Sequence, residues 1–123
     1  MNKKVLIIED DKLLREMIFR KLEKEGLEAF SVIDGSEAVA KTKEIKPDIV
    51  LLDLILPGSN GFEILKEVKN DSEIKEIPVI ILSNLGQKSE IDKGIELGAV
   101  DYLVKAHFTP AEVLDKIKKI LSL

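Results

Sequence analysis

The sequence lacks cysteine and tryptophan altogether, and aromatic residues make up only 4% of its 123 residues. Without cysteine, neither a disulfide framework nor a thiolate metal site can form. No hydrophobic run approaches the ~20 residues that a membrane-spanning helix needs, and residues 1–4 lead into a predicted strand without the apolar segment of a signal peptide. We therefore expect a cytoplasmic protein that makes no membrane contact and has a core of isoleucine, leucine and valine.

Basic residues are fewer than acidic ones, 19 against 23, and the net charge is −4. A domain with this balance does not favour the phosphate backbone of nucleic acids, so we expect no direct nucleic-acid partner. The basic cluster Lys116, Lys118 and Lys119 is interpreted as the solvated face of an amphipathic helix. The length is close to the commonest size of one domain, which predicts a single domain over residues 1–123.

Strand-like and helix-like patterns alternate five times along the chain. We predict strands near 4–9, 28–33, 48–53, 78–83 and 100–104, and the continuous apolar runs within the first, third and fourth of these are typical of strands buried on both faces. Apolar residues at helical spacing predict helices near 12–25, 36–45, 61–70, 87–97 and 110–121. The alternation indicates an α/β fold with a parallel sheet, right-handed crossovers and helices on both faces. Five units are too few for a closed eight-stranded barrel, so we predict an open, doubly wound five-stranded sheet with its first strand central.

Four of the predicted strands end in side chains that can carry chemistry. These are Glu9 and Asp10 after the first strand, Asp53 after the third, Ser83 at the end of the fourth and Lys105 after the fifth. Open α/β sheets bind their ligands at this carboxyl edge. Adjacent carboxylates suit a hard cation such as Mg²⁺. Asp53 suits either a metal ligand or a nucleophile that forms an acyl phosphate, while lysine and serine suit contacts to phosphate oxygens.

Each of these residues also has an ordinary structural explanation when it is taken alone. Acids are favourable at the start of a helix, Asp53 and Ser83 suit caps or turns, and most lysines are surface residues. We interpret Asp11 as a capping residue and His107, the only histidine, as a loop residue near the site. The conjunction of acids, hydroxyl and amine at the ends of four different strands favours a functional site.

These residues together resemble the receiver domain of response regulators in two-component signal transduction, of the single-domain, chemotaxis-regulator kind. The resemblance covers essentially the whole chain and implies a flavodoxin-like sheet with strand order 2-1-3-4-5. It rests on the following motifs: Glu9-Asp10, Leu51-Leu52-Asp53-Leu54, Pro57-Gly58, Gly61-Phe62-Glu63, Ser83, Gly98-Ala99, Asp101-Tyr102 and Lys105.

The resemblance implies a phosphorelay switch. Asp53 would accept a phosphoryl group from a phosphohistidine on a sensor histidine kinase or a phosphotransfer protein. Glu9, Asp10 and Asp53, together with the backbone carbonyl of Ile55, would hold Mg²⁺, for which Mn²⁺ could substitute. The protein would act on itself and not as an enzyme with a separate substrate.

The resemblance also implies how the signal is read. Ser83 would move to hold the phosphate, and Lys105 would contact it as well. Tyr102 resembles the switch aromatic that turns inward when that hydroxyl moves; its alternative role is a core-edge aromatic. A downstream protein target would bind the surface of helix 4, strand 5 and helix 5, and the domain would be a monomer or a phosphorylation-linked dimer.

Several positions depart from the family pattern. Ala106 stands where a proline after a cis peptide is usual, so either the bond is trans and Lys105 is re-aimed, or a cis bond is retained. Asn84 replaces a small residue and either crowds the phosphate or hydrogen-bonds to it. Ile55 and Leu85, two residues after the acceptor and two after the switch hydroxyl, are apolar and cannot orient an attacking water. We therefore expect a long-lived phosphoryl group.

Three other functions compete with this interpretation. In the first, Ala106 and Asn84 distort the site, and the domain is a constitutive protein-interaction module. In the second, it is a small phosphatase that uses Asp53, although Ile55 occupies the position of such an enzyme's second acid. In the third, it is a flavin carrier, which the acids at the sheet edge disfavour. We expect no output domain within residues 1–123, and the sequence does not decide between a stand-alone receiver and part of a longer regulator.

Overall fold

Five apolar segments form the parallel sheet that organises the chain. The computed structural model describes residues 2–123. The strands are β1 Lys4–Ile8, β2 Glu28–Val32, β3 Ile49–Leu52, β4 Val79–Ser83 and β5 Asp101–Val104. Neighbouring strands all pair in parallel, in the order β2-β1-β3-β4-β5, which confirms the predicted fold class. The first strand was predicted to be central. It is an interior strand of the sheet, but the middle strand of the five is β3.

Helices connect the strands in the predicted alternation. They are α1 Lys12–Lys24, α2 Ala38–Ile45, α3 Gly61–Asn70, α4 Lys88–Glu96 and α5 Pro110–Ile120. Single 3₁₀ turns at Gly35–Glu37 and Lys105–His107 precede α2 and α5. The predicted ends lie within two residues of the observed ones. None of the helices in residues 2–123 combines the length and the hydropathy that a bilayer span requires.

Helix starts follow from polar side chains that satisfy the first free backbone N–H groups. The carboxylate of Asp11 accepts a hydrogen bond from the Leu14 N–H at 3.1 Å and begins α1, as expected for a capping residue. At α5, the Thr109 and Glu112 side chains each accept a bond from the other residue's N–H, and Pro110 occupies the first turn. Both helices therefore begin directly after the loops that carry the strand-end residues.

The sheet is buried on both faces, and alternate side chains of each strand enter separate cores. Leu6, Ile8 and Leu52 contribute to the face covered by α2, α3 and α4. Val5 and Ile7 contribute to the opposite face, covered by α1 and α5. Because β1 and β3 are apolar on both sides, the polar residues that follow them are left at the exposed carboxyl edge of the sheet.

The segment after Asp53 contains a structure that the sequence analysis did not predict. Ile55–Leu56 pairs antiparallel with Ser59–Asn60, forming a two-stranded hairpin that we call the acceptor hairpin (residues 55–60). It returns the chain to Gly61, where an added Cβ would lie 2.5 Å from the Asp53 carbonyl oxygen. Only glycine allows α3 to begin this close to the backbone of Asp53.

We predict that Gly94→Ala destabilises the protein even though alanine is the better helix former. An added Cβ would lie 2.6 Å from Ile81 Cδ1 and 3.0 Å from the Tyr102 ring, and Ile81 is fully buried. Overpacking typically costs about 1–3 kcal/mol, which exceeds the ~1 kcal/mol gained from helix propensity. The free energy of unfolding in urea should fall, whereas Ser89→Ala, an exposed change in the same helix, should not lower it. A more stable Gly94→Ala protein would contradict this packing.

Candidate functional site

The carboxyl ends of β1, β3 and β5 bring the site together. The Glu9 N–H donates to the Val32 carbonyl at 3.1 Å, and the Asp53 N–H donates to the Ile8 carbonyl at 2.9 Å. Both acids are therefore fixed by bonds that continue the sheet ladders. The long side chain of Lys105 reaches them from β5, although β4 lies between β3 and β5.

Lys105 forms an ion pair with both buried acids. Its Nζ lies 2.7 Å from Glu9 Oε1 and 2.9 Å from Asp53 Oδ2, and the side chains of Glu9 and Asp53 are only 3% and 6% exposed. Two carboxylates that are this buried repel each other and lose hydration unless a cation lies between them. The ammonium group provides that cation, which makes the three residues one electrostatic unit.

The pKa values of Glu9 and Lys105 reflect two opposing effects, burial and the hydrogen bonds of the ion pair. Burial raises the pKa of Glu9 to about 7, against the opposing effect of the Lys105 hydrogen bond. Burial by itself lowers the pKa of Lys105, but its hydrogen bonds to Glu9 and Asp53 more than offset this and leave that pKa above the ordinary value. Lys105 therefore stays charged, whereas burial disfavours the charged form of Glu9.

Three carboxylates form a cluster with the donor chemistry of a hard-cation site. Glu9, Asp10 and Asp53 each offer one oxygen, and these oxygens lie within 4.8 Å of one another. Glu9 and Asp53 are buried, whereas Asp10 is exposed to solvent. Oxygen donors, a high negative charge and access to water are the conditions that Mg²⁺ and Mn²⁺ favour. The residues present therefore fit such an ion, and Ile55 lies on the same cleft.

One contributing residue was missed by the sequence analysis. The guanidinium group of Arg15 donates to the carbonyls of Glu9 and Asp10, at 3.1 and 3.3 Å. These bonds hold the backbone of both acids from the second turn of α1. The signal was the position of an arginine one to two turns after the acids, which brings its side chain back over the start of the helix.

The second oxygen of Asp53 is held by its own loop. Oδ1 accepts hydrogen bonds from the Leu54 N–H at 2.7 Å and the Ile55 N–H at 3.3 Å. The carboxylate is thus fixed from two sides, because Oδ2 faces Lys105. This arrangement presents an oriented carboxylate at the edge of the sheet.

A cleft of about 380 Å³ opens above these residues. Its wall is formed by Asp10, Asp11, Asp53, Ile55, Asn84 and Lys105. Ser83 and Leu85 do not line it in the described chain: Ser83 is fully buried, and its hydroxyl accepts a hydrogen bond from the Leu85 N–H at 3.3 Å. The structure thus brings most of the predicted site residues together at one cleft, whereas Ser83 would have to move to reach a group bound there.

Tyr102 lies inward, beneath the end of β4. Its side chain is 7% exposed, and its hydroxyl donates a hydrogen bond to the Leu85 carbonyl. Burial, aided by the charge of Glu90, raises the pKa of Tyr102. The ring packs close to Gly94 of α4, so Tyr102 joins the segment after Ser83 to the helix that follows it.

Ala106 does not prevent Lys105 from reaching the site. No cis peptide bond occurs in residues 2–123, so the bond between Lys105 and Ala106 is trans. Lys105 nevertheless contacts both acids, so the trans bond is compatible with the ion pair. His107 is exposed in the 3₁₀ turn after β5 and does not line the cleft described above.

Comparison with known proteins agrees with this geometry. The model of the response regulator receiver domain matches residues 5–118. The chain therefore belongs to the response regulator receiver domain family. The relatives and solved structures described next place it within that family.

The phosphate regulon transcriptional regulatory protein PhoB of Escherichia coli (strain K12) is 36% identical over 121 residues, which cover 98% of this chain and 52% of PhoB. The chain thus spans about half the length of the curated relatives it matches. The chemotaxis response regulator CheY4 of Vibrio cholerae superposes with a TM-score of 0.89 at 30% identity, covering 98% of this chain and 99% of CheY4. The Mn²⁺-bound form of the response regulator Rcp1 gives 0.83 at 28% identity, covering 94% and 91%.

We predict that Lys105→Met destabilises the protein when no divalent cation is present. The substitution keeps an apolar stem but leaves the buried Glu9 and Asp53 without a counter-charge, which typically costs about 3–5 kcal/mol. Urea denaturation in EDTA should show this loss. Lys116→Met is the matched control, since Lys116 lies on the surface with Asp101 4.0 Å away. Equal stability of the Lys105 variant and the wild type would contradict the electrostatic role of Lys105.

Proposed function

We propose that the protein is a phosphorelay switch in which Asp53 accepts a phosphoryl group from a phosphohistidine on a sensor histidine kinase or phosphotransfer protein. The observation that supports this most directly is a buried carboxylate that is fixed by two backbone N–H groups and a lysine, at the mouth of an acidic cleft. Membership of the receiver family supports it as well. The proposal places the reaction in the cytoplasm.

In the proposed reaction, one Asp53 carboxylate oxygen forms a bond to phosphorus as the bond between phosphorus and the histidine nitrogen breaks. The imidazole keeps the electron pair of the broken bond, and Asp53 becomes an acyl phosphate. The Leu54 and Ile55 N–H groups orient the carboxylate. Lys105, already beside Asp53, supplies positive charge to the phosphoryl oxygens. No separate substrate is turned over.

We propose Mg²⁺ as the cofactor, with Mn²⁺ as a substitute. Glu9, Asp10 and Asp53 would hold the ion with the backbone carbonyl of Ile55, and the acidic donor set supports this. The neighbour Rcp1, which has been solved in an Mn²⁺-bound form, supports it by analogy. When bound, the cation neutralises phosphoryl oxygens and lets one anion approach another.

The proposed readout is the surface of α4, β5 and α5. Movement of the Ser83 hydroxyl toward the phosphate would break its bond to the Leu85 N–H and disturb the Leu85 carbonyl that holds Tyr102. Tyr102 in turn packs against α4. Ile95 and Val100 expose apolar surface there, at 46% and 50%, which suits a downstream protein target or a phosphorylation-linked dimer.

The direct test is intact-mass measurement after incubation with a small acyl-phosphate donor and Mg²⁺. We expect a gain of one phosphoryl group, because Asp53 is oriented and paired with Lys105. Asp53→Asn keeps the shape of the side chain but lacks the nucleophile, so the gain should disappear, as it should in EDTA. A folded wild-type protein that gains no mass would contradict the proposal and favour a constitutive interaction domain.

We predict that the phosphoryl group on Asp53 is long-lived. Ile55 is 59% exposed and lines the cleft, and its side chain has no group to orient an attacking water. The phosphoryl group on Ile55→Asn should therefore be hydrolysed about 10-fold faster, which corresponds to a barrier lower by ~1.4 kcal/mol. Leu85→Glu should have a smaller effect, because Leu85 does not line the described cleft. Decay of the phosphorylated mass over time measures both rates, and rapid decay of the wild type that neither substitution alters would contradict this prediction.

A further inference from the structure

The acceptor hairpin is docked against a second loop, which we call the β2 turn (residues 34–36). The Gly35 N–H donates to the Pro57 carbonyl at 2.8 Å. An added Cβ on Gly35 would lie 2.9 Å from Ser59 Cβ, 3.2 Å from Ile64 Cδ1 and 3.3 Å from the Ser59 amide nitrogen. The two Ser59 atoms belong to or adjoin the backbone and cannot rotate away. The two loops therefore approach as closely as a glycine permits.

A second contact fixes the same two loops. Gly58 has a φ of +82°, and an added Cβ there would lie 2.1 Å from Asp34 Oδ1. That oxygen already accepts hydrogen bonds from the Ser36 N–H and the Ser36 hydroxyl, both at 2.8 Å. Displacing the Asp34 carboxylate would break both of these bonds, so the β2 turn presents a rigid surface to the acceptor hairpin.

The acceptor hairpin connects the β2 turn to Asp53. Ser59 is opposite Leu56 in the hairpin, and Asn60 is opposite Ile55. The Ile55 N–H donates to Asp53 Oδ1 at 3.3 Å. A displacement at Ser59 would therefore reach, through two residue pairs, the backbone of the residue next to the cleft.

We propose that Asp34 and Gly35 are positioning residues for the phosphoryl-acceptor site. They hold the acceptor hairpin and so set the place of the Ile55 backbone, whose N–H binds Asp53 and whose carbonyl is a proposed metal ligand. The expected effect on metal binding rests on the proposed function. The expected effect on the position of the Ile55 and Asp53 backbone rests on the hairpin contacts alone.

A pair of compensating substitutions tests the contact. Gly35→Ala adds the clashing Cβ, and Ser59→Gly removes the Cβ that it meets. Mg²⁺ titration followed by two-dimensional amide NMR should show a Kd about 10-fold higher for Gly35→Ala, the size of effect usual for residues that orient metal ligands. Ser59→Gly alone should leave the Kd near the wild-type value, and the double variant should recover part of the lost affinity, because Ser59→Gly removes the closest of the atoms that the new Cβ meets.

Gly26→Ala is the matched control for stability. Gly26 has a φ of +80° but no atom within 4 Å of an added Cβ, so alanine introduces backbone strain far from the cleft. It should lower the stability without altering the Mg²⁺ Kd. An equal loss of Mg²⁺ affinity in Gly26→Ala and Gly35→Ala would overturn the positioning role.

The amide spectra in EDTA separate the inference from the proposed function. If the wild type binds no Mg²⁺, the proposed function fails, and displaced Ile55 and Asn60 amide signals in Gly35→Ala that return in the double variant still support the positioning role. If the wild type binds Mg²⁺ and Gly35→Ala binds it equally, with those signals unchanged, the inference is overturned and the function stands.

A second variant covers the case in which Gly35→Ala does not fold. Asp34→Ala removes the carboxylate that faces Gly58 and binds Ser36, without adding an atom to either loop. Displaced Ile55 and Asn60 amide signals in folded Asp34→Ala support the positioning role. Unchanged signals in that variant overturn the role.

Discussion

The contact on which the site depends is the Lys105 ammonium group between the buried carboxylates of Glu9 and Asp53. Its distances of 2.7 and 2.9 Å place one positive charge against two acids that have almost no access to water. Without that charge, the sheet would have to bury two negative groups side by side. Burial raises the pKa of Glu9 even so, because the Lys105 hydrogen bond does not fully offset the lost hydration. Asp10 adds a third carboxylate beside this pair, and the three together have the donor set of a cation site.

The topology of the sheet creates this contact. Parallel strands end at one edge, and apolar residues fill both faces of β1 and β3, so the first polar residue after each strand is delivered to that edge. Lysine is suited to its place because its stem spans the width of β4. The same flexible stem explains why a trans bond before Ala106 is compatible with the contact.

Much of the fold and of the candidate site could be predicted from the sequence, because a strand that is buried on both faces is recognisable as a continuous apolar run. Continuous apolar runs identified β1, β3 and β4, and the alternation with helices located β2 and β5. The acids that follow β1 and β3 identified the metal and acceptor candidates. The acceptor hairpin was missed because its strands have only two residues each, too few to show a period. Arg15 was missed because an arginine one to two turns after an acid pair gives the same sequence signal whether or not it reaches back to a carbonyl. The close packing at Gly35 depends on a partner 24 positions away along the chain, Ser59, which no local pattern reports.

The most direct test of this account compares the Mg²⁺ affinity of the wild type with that of Lys105→Met, each measured by titration of the metal-free protein at the same ionic strength. If the ammonium group and the cation share the charge of Glu9 and Asp53, removing the ammonium should tighten Mg²⁺ binding, because one positive charge no longer opposes the other. A wild type that binds no Mg²⁺, or a variant that binds it more weakly, would contradict the claim that this charge balance governs the site.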